Sequence, residues 1–312
     1  MAKNLKYQFL QAIETEFTPG VSKHSLKKTE GLGNGRIFSY ADRKNLVDFS
    51  ANFANFITSN YPKVKYARDI KVDQAQSFIN NRAGYCTYAT ITQYVSKLRK
   101  LNILLNNVYG SCKNFSKVEM PPVTAENTKK LRIISMPKEE FLLLREYLKN
   151  RKSKAIVGIE LAGRFALRAS EVVKLQTRDV NLEKKEIYII DSKGGKSRTI
   201  KITEEEDYNY LKEIVKGKEG KEGKERLVPL KEDSVNKFLK RSLNQCGIGK
   251  KYKDAKTGIH SIRKMAADIY FNRCLDNGMA VKEATQATSV YIGHGKDRKE
   301  LMEGIYVKTL RE

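Results

Sequence analysis

Glu186-Ile187-Tyr188-Ile189-Ile190, then Asp191-Ser192-Lys193-Gly194-Gly195-Lys196-Ser197, then Arg198-Thr199-Ile200-Lys201-Ile202: this stretch carries the clear β signal of the chain. β-Branched residues and tyrosine fill the two arms, while a glycine pair among serines and lysines fills the middle, so the stretch predicts a hairpin. Elsewhere the apolar residues recur at helical spacing. The expected fold class is therefore mainly α with a small antiparallel β-sheet.

Upstream, Leu46, Phe49, Phe53, Phe56 and Ile57 fall on one face of a helix from about Tyr40 to Ser59, and Asn60-Tyr61-Pro62 stops the run. A second helix is expected over 72–81. A third, over 87–105, sets Ile91, Tyr94, Val95, Leu98 and Leu101 on one face, with Lys97, Arg99 and Lys100 alongside. Residues 3–17 suit a short helix closed by Thr18-Pro19-Gly20. The first 115 residues thus read as a small helical domain, with 1–35 as a candidate separate arm. Periodicity fades between Val108 and Ile134, around Pro121-Pro122, which marks 116–134 as an extended linker. Ser135 is placed to cap the next helix, with Pro137, Glu139 and Glu140 in its first turn. Helices run to about Gln176, the hairpin follows, a charged segment spans 204–226, and helices resume from Ser234. This second domain covers 135–312.

A chain of 312 residues with 40% apolar composition is long enough for two domains with their own cores. Its formal charge is +24, and both parts are basic: residues 1–130 hold 20 Lys+Arg against 9 Asp+Glu, and residues 131–312 hold 40 against 27. Two separately basic domains fit a surface that grips a polyanion from both sides, rather than a basic tail. No apolar run approaches the roughly 18 residues of a spanning helix, so no membrane partner is expected. Met1-Ala-Lys-Asn lacks the apolar core of a secretory signal. Cys86, Cys112, Cys246 and Cys274 are scattered and match no zinc spacing. Reduced thiols in a cytoplasmic protein are expected.

Several residues could carry chemistry on a phosphate. His260 and Arg263 lie three apart in a helical pattern, so imidazole and guanidinium share a face. The planar fork of an arginine gives two parallel charge-assisted hydrogen bonds to a phosphate, although an ordinary surface pair has the same spacing. Arg168, in Leu167-Arg168-Ala169-Ser170-Glu171, sits in an otherwise apolar run and needs a partner or a ligand. Glu171, one turn on, is the structural answer; a bound anion is the functional one. Arg164 competes for the same role. Lys193 gains meaning only if its turn folds over a bound phosphate, where an ammonium could protonate a leaving alkoxide. Of only three histidines in the chain, His294 follows Gly293 and could donate to a phosphate oxygen, and Tyr306 could be the nucleophile.

Taken in order, these residues resemble the tyrosine site-specific recombinase family (phage integrases and Xer-like recombinases), which shares its catalytic logic with type IB topoisomerases. The family's Gly-Leu-Arg-x-Ser-Glu resembles 167–171 and selects Arg168 over Arg164. Its hairpin lysine motif resembles Ser192-Lys193-Gly194-Gly195-Lys196, its His-x-Leu-Arg resembles His260-Ser261-Ile262-Arg263, and its Leu-Gly-His resembles Ile292-Gly293-His294. The resemblance covers about 135–306 and implies a helical core-binding domain joined to a type IB topoisomerase-like catalytic domain.

It further implies that Tyr306 attacks a DNA phosphodiester to give a 3′-phosphotyrosine. Arg168, Arg263 and His294 would hold the non-bridging oxygens, and Lys193 would protonate the leaving 5′ oxygen. His260 would assist proton transfer or bind phosphate, with Glu171 orienting the arginine. No cofactor and no metal are implied. The implied partners are double-stranded recombination sites and a homo-tetramer in the synaptic complex, from a monomer without DNA. Lys97, Arg99 and Lys100 are the candidate groove-facing residues. Integration of a mobile element is the favoured role; the alternatives are Xer-type dimer resolution, a type IB topoisomerase and a catalytically silent DNA-binding protein.

Gly223-Lys224-Glu225-Arg226-Leu227-Val228-Pro229-Leu230 mimics the end of the family's hairpin motif and would nominate Lys224 as the acid. It lies 56 residues after Arg168 and beyond a complete hairpin, whereas Lys193 lies 25 after it and inside one. Tyr306 follows His294 by 12 residues, a wider interval than is usual in the family, so a small insertion is expected between Gly295 and Glu300. Six residues follow Tyr306, so the expectation is either that protomer contacts are made differently here or that the chain is cut short at this end. Tyr291, the other nearby tyrosine, precedes the histidine among apolar neighbours.

Overall fold

The computed structural model describes residues 4–21, 35–110, 114–128, 134–190, 192, 197–216, 223–255, 257–295 and 298–307. The chain separates into two compact units, Met1–Lys129 and Lys130–Glu312.

The described part of the first unit holds α1 (Leu5–Thr15), α2 (Tyr40–Asn60), a 3-10 turn (Ala67–Asp69), α3 (Val72–Ala83) and α4 (Tyr88–Tyr109). Asn4, Ser39 and Thr87 each accept a backbone N–H of the first turn that follows them, which fixes where α1, α2 and α4 begin. α4 runs past the expected end at 105 because nothing breaks it before Gly110, whose φ of 68° gives the left-handed cap. Aromatic rings dominate the core: Phe53 lies 5.1 Å from Phe78 and 5.7 Å from Phe115, centroid to centroid.

The stretch expected to start a linker at 116 instead packs onto this unit. Val118 is buried, the Glu119 N–H donates to Gln76 Oε1 at 2.7 Å, and the Tyr88 N–H donates to the Asn127 carbonyl at 2.8 Å. These anchors are mostly backbone groups, which a polar composition conceals.

The second unit contains α5 (Lys138–Leu148), α6 (Lys154–Phe165), α7 (Ala169–Lys174), a 3-10 turn (Thr177–Asp179), β1 (Val180–Asn181), β2 (Glu186–Ile189) and β3 (Arg198–Lys201). After the sheet come α8 (Glu205–Val215), α9 (Glu232–Gln245), α10 (Gly249–Asp254), α11 (Ile259–Asp276), α12 (Val281–Tyr291), α13 (Lys299–Leu301) and a π-helical turn (Met302–Tyr306). Ser135 does not cap α5. Pro137 holds that position without a side-chain bond, and Glu139 and Glu140 supply the favourable charge of the first turn. The segment that reads as merely charged contains α8, whose Leu211 and Val215 are buried beneath an acidic first turn.

The three strands pair antiparallel in the order β1-β2-β3, with Ile187 opposite Ile200 and Ile189 opposite Arg198. β1 is two residues long, too short to show a period-two pattern. Ile187, Ile189 and Ile200 face a core that includes Ile159, Leu161, Val172, Leu239 and Ile262. A smaller cluster joins Ala266 and Phe271 of α11 with Ala284 of α12, Ile292, Met302 and Tyr306. Burial of Met302, Tyr306 and Val307 ties the end of the described chain to α11. Among the described residues no helix is long and apolar enough to cross a membrane.

Candidate active site

The site is built where α6 gives way to α7. α6 ends on Ala166, whose φ of 49° is uncommon for a residue with a side chain. Arg168 is the N-cap of α7, and Glu171, three residues on, accepts its backbone N–H at 2.9 Å. The same carboxylate accepts Arg168 Nη1 at 2.6 Å and the Ser192 hydroxyl. Ser192 Oγ also accepts from Arg168 Nη1 at 3.0 Å.

Arg198 completes the cluster from β3. Its Nη1 and Nη2 donate to the two oxygens of Glu171 at 2.8 and 2.9 Å, and its Nε donates to the Tyr291 carbonyl at 2.8 Å. Burial by itself would raise the Glu171 pKa. The hydrogen bonds and charge of Arg198, the charge of Arg263 and the Ser192 hydrogen bond outweigh it and hold the carboxyl well below the usual carboxylate range.

Arg263 and His260 project from the first turns of α11. Arg263 is 0% exposed; its guanidinium donates to the carbonyls of Ala166 and Ile292 and lies 3.6 Å from Glu171 Oε2. Among the described residues its Nε finds no acceptor. Burial, and then repulsion from Arg168, lower its pKa to about 10, so it remains a cation at neutral pH.

Tyr306, 4% exposed, lies between these groups. The carbon of the Arg263 guanidinium stands 5.7 Å from the phenol ring centroid, the His260 ring meets it edge-on at 5.5 Å, and the His294 ring is tilted at 5.1 Å. The Tyr306 hydroxyl is 3.1 Å from His294 Nε2, which in turn lies 3.2 Å from Arg168 Nη2. A guanidinium can only donate, so the Arg168 contact requires an unprotonated Nε2 on His294. The π turn that carries Tyr306 is closed by the Val307 N–H on the Met302 carbonyl at 2.9 Å. Such turns are rare and recur at functional sites.

Gly293 precedes His294 with φ 75°, and a Cβ there would come 2.8 Å from Arg198 Nη1 and 3.3 Å from Arg168 Nη1. Only glycine combines that backbone with that clearance.

The structure therefore gathers Arg168, Glu171, His260, Arg263, His294 and Tyr306 in one place. Arg164 belongs elsewhere: it pairs with Glu160 at 3.0 Å, Glu206 at 2.8 Å and Asp207 at 2.7 Å, joining α6 to α8. Tyr291 stacks on Tyr270 at 3.9 Å and is half-buried, and that burial raises its pKa. Lys193 lies outside the described residues. The segment with Lys224 runs beside the end of α7, where Leu227 N–H donates to the Leu175 carbonyl at 3.0 Å and Arg178 N–H to the Gly223 carbonyl at 2.9 Å.

On α4, Lys97 stands 5.7 Å from the Phe49 ring centroid, Lys100 pairs with Asp42 at 2.6 Å, and Arg99 lines a cavity with Asn106 and Lys117. Among the described residues no group of three or more His, Cys, Asp or Glu side chains gathers as a metal-ligand set.

Sequence reasoning missed Arg198 and Ser192. Arg198 had a signal: it shares a strand face with the buried Ile200 and Ile202, and an arginine on an inward face requires a partner. Ser192 had none beyond its place next to Lys193.

Chemically, one guanidinium (Arg263) and two imidazoles surround the phenol, and a second guanidinium (Arg168) reaches the nearer imidazole. The arrangement suits a tetrahedral anion held by Arg168, Arg263 and a histidine, with Tyr306 as the attacking group.

A sequence model of the phage integrase family matches residues 134–294. No curated protein sequence matches the chain. Among solved structures the fold is similar to lambda integrase (residues 75–356) bound to DNA, with TM-score 0.61, 14% identity, and 89% of this chain and 94% of that one covered. A lambda integrase tetramer bound to a Holliday junction gives TM-score 0.61 at 16% identity over 89% of this chain and 75% of that one. The Tn1549 transposon integrase in complex with transposon right end DNA gives 0.56 at 15% over 92% and 95%. At these identities the structural likeness establishes the fold.

Proposed function

The chain belongs to the phage integrase family of tyrosine recombinases, and from that premise we propose that it cuts and rejoins duplex DNA through a 3′-phosphotyrosine on Tyr306, in the service of a mobile element. The observation that carries this reading is the Tyr306 hydroxyl at His294 Nε2, with Arg168 at the same ring nitrogen and Arg263 against the phenol ring.

In the forward step the phenolic oxygen attacks the scissile phosphorus. The bond to the 5′ oxygen breaks, and that oxygen takes up a proton and leaves as a hydroxyl. Lys193 is the proposed donor of that proton. The phenol's own proton passes to a histidine: His294 touches the hydroxyl, and His260 faces the ring edge. Charge building on the non-bridging oxygens is met by Arg168, Arg263 and His294, fixed beforehand by carbonyls and by Glu171, so little reorganisation is needed during reaction. Each proton-transfer role is worth about 10²–10⁴-fold. The phosphodiester energy is stored in the tyrosyl ester, so religation to a new 5′-hydroxyl needs no nucleotide cofactor.

The first unit serves as the core-binding domain, with α4 and its Lys97, Arg99 and Lys100 as the groove-facing element. Both basic units grip phosphates, so affinity should fall by about 10³–10⁵ between 50 and 200 mM salt for six to ten phosphate contacts. Strand exchange is carried out by a homo-tetramer on two DNA sites. DNA-bound dimer and tetramer complexes of lambda integrase, a relative in fold, support that assembly.

The test uses a nicked duplex whose cleavage releases a short strand and traps the covalent adduct. Wild-type protein should give a protein–DNA band and Tyr306→Phe should give none while still shifting the duplex. An adduct formed by Tyr306→Phe would overturn the assignment. Exchange between paired sites, measured beside relaxation of supercoiled DNA, separates recombination from topoisomerase action.

A further inference from the structure

We propose that Arg198 is a positioning residue for the DNA cleavage step: through Glu171 and the Tyr291 carbonyl it locks the turn bearing His294 onto Arg168, and so sets the geometry of the phosphate cradle. The inference rests on the proposed cleavage chemistry.

Three donors of one guanidinium are committed to two structural elements. Two reach both oxygens of Glu171, which itself holds Arg168 by backbone and side chain. The third reaches the carbonyl of Tyr291, the last residue of α12 and three before His294. Arg198 therefore touches the support of the arginine on one side and the support of the histidine on the other. The intervening Gly293 passes close against it, within 2.8 Å of Nη1 for an added Cβ. Arg168 and His294 meet at 3.2 Å across that junction.

Its own chain position makes this costly to arrange by chance. Arg198 occupies an inward position of β3, opposite Ile189, where Ile200 and Ile202 are buried. An apolar residue there would pack, but it would leave Glu171 facing Arg168 and Arg263 without its bidentate partner. Lysine cannot replace the function, because a single ammonium cannot span both carboxylate oxygens and reach a carbonyl with fixed geometry.

The test measures first-order cleavage by Arg198→Gln, Arg198→Lys and wild type on two duplexes. One carries an ordinary scissile phosphodiester, the other a methylphosphonate, in which a methyl group replaces one non-bridging oxygen and removes the charge. On the ordinary duplex both variants should lose about 10–100-fold, on the scale that removing the hydrogen-bond partner behind a metal ligand costs. On the neutral linkage the penalty should shrink by at least about tenfold, because less charge then has to be met by the cradle. Thermal unfolding of Arg198→Lys, which keeps the charge, separates folding from positioning.

An equal penalty on both duplexes, or no penalty on the ordinary one, overturns the inference and leaves the cleavage reading intact. A penalty that disappears instead on a duplex with a 5′-bridging sulfur, whose thiolate leaves without a proton donor, also overturns it, because Arg198 would then act on the leaving-group side. Wild-type protein that gives no adduct on any duplex sinks the cleavage reading itself, and this inference with it.

Discussion

The hydroxyl of Tyr306 lies 3.1 Å from Nε2 of His294 within a single chain. Among the described residues, the proposed nucleophile and the proposed phosphate cradle thus come from one chain, with Arg263 and His260 against the same phenol.

Cleavage is accordingly expected in cis. A mixture of Tyr306→Phe with Arg168→Ala should form no more adduct than the two variants measured singly, because neither chain holds a whole site. Adduct recovered by mixing would show that the tyrosine is delivered to a neighbour.

Glu171 faces the guanidinium groups of Arg168, Arg198 and Arg263. Replacing it with Gln leaves three largely buried cations with a neutral partner and should cost about 3–5 kcal/mol, the scale for breaking a buried pair. Because its carboxyl titrates below the usual range in the folded protein, the stabilisation is fully present above the unfolded carboxyl pKa near about 4 and drains away as pH falls below it. Melting temperatures of wild type and Glu171→Gln should therefore stay apart from pH 7 down to about 4 and draw together only below that. A constant gap would mean that the charge of Glu171 is not what stabilises.

Gly293→Ala forces a left-handed backbone on a residue with a Cβ and drives that atom against Arg198. The backbone alone costs about 1–2 kcal/mol. The variant should fold with a lowered melting temperature and lose cleavage, while a gel shift still shows DNA binding. Full cleavage activity would mean that the turn before His294 has more room than its neighbours indicate.

Arg164 and Arg168 make opposite predictions although they are one turn apart. Arg164 is locked between Glu160, Glu206 and Asp207, and burial holds the Asp207 pKa above its ordinary value despite that partner. Arg164→Leu should lower stability by about 3–5 kcal/mol and yet leave cleavage at low temperature near wild type. Arg168→Leu should do the reverse: a modest loss in melting temperature and a collapse of adduct formation.

What the sequence disclosed follows from what each element shows at short range. The hairpin, α2, α3 and α4 carry clear periodicity, and Arg168, His260, Arg263, His294 and Tyr306 stand in the order in which they resemble the recombinase family's motifs. α8 stayed hidden because acidic residues mask two buried positions, and the anchoring of 114–128 stayed hidden because backbone groups do it. Arg198 was legible as the first residue of the second hairpin arm, on the face of Ile200 and Ile202, but its partner Glu171 lies 27 residues earlier and no local pattern links the two. Spacing alone does not choose between Arg164 and Arg168; the three carboxylates around one and the imidazole beside the other do.

The five-residue turn at Met302–Tyr306 bears on how such proteins are found. A π turn takes in one residue more than an α turn, so one residue of the interval from His294 to Tyr306 is taken up inside the turn itself. Searches that demand a fixed count between histidine and tyrosine will stop short of the candidate tyrosine in chains built this way. A wide interval by itself gives no ground for discarding a sequence as an inactive relic.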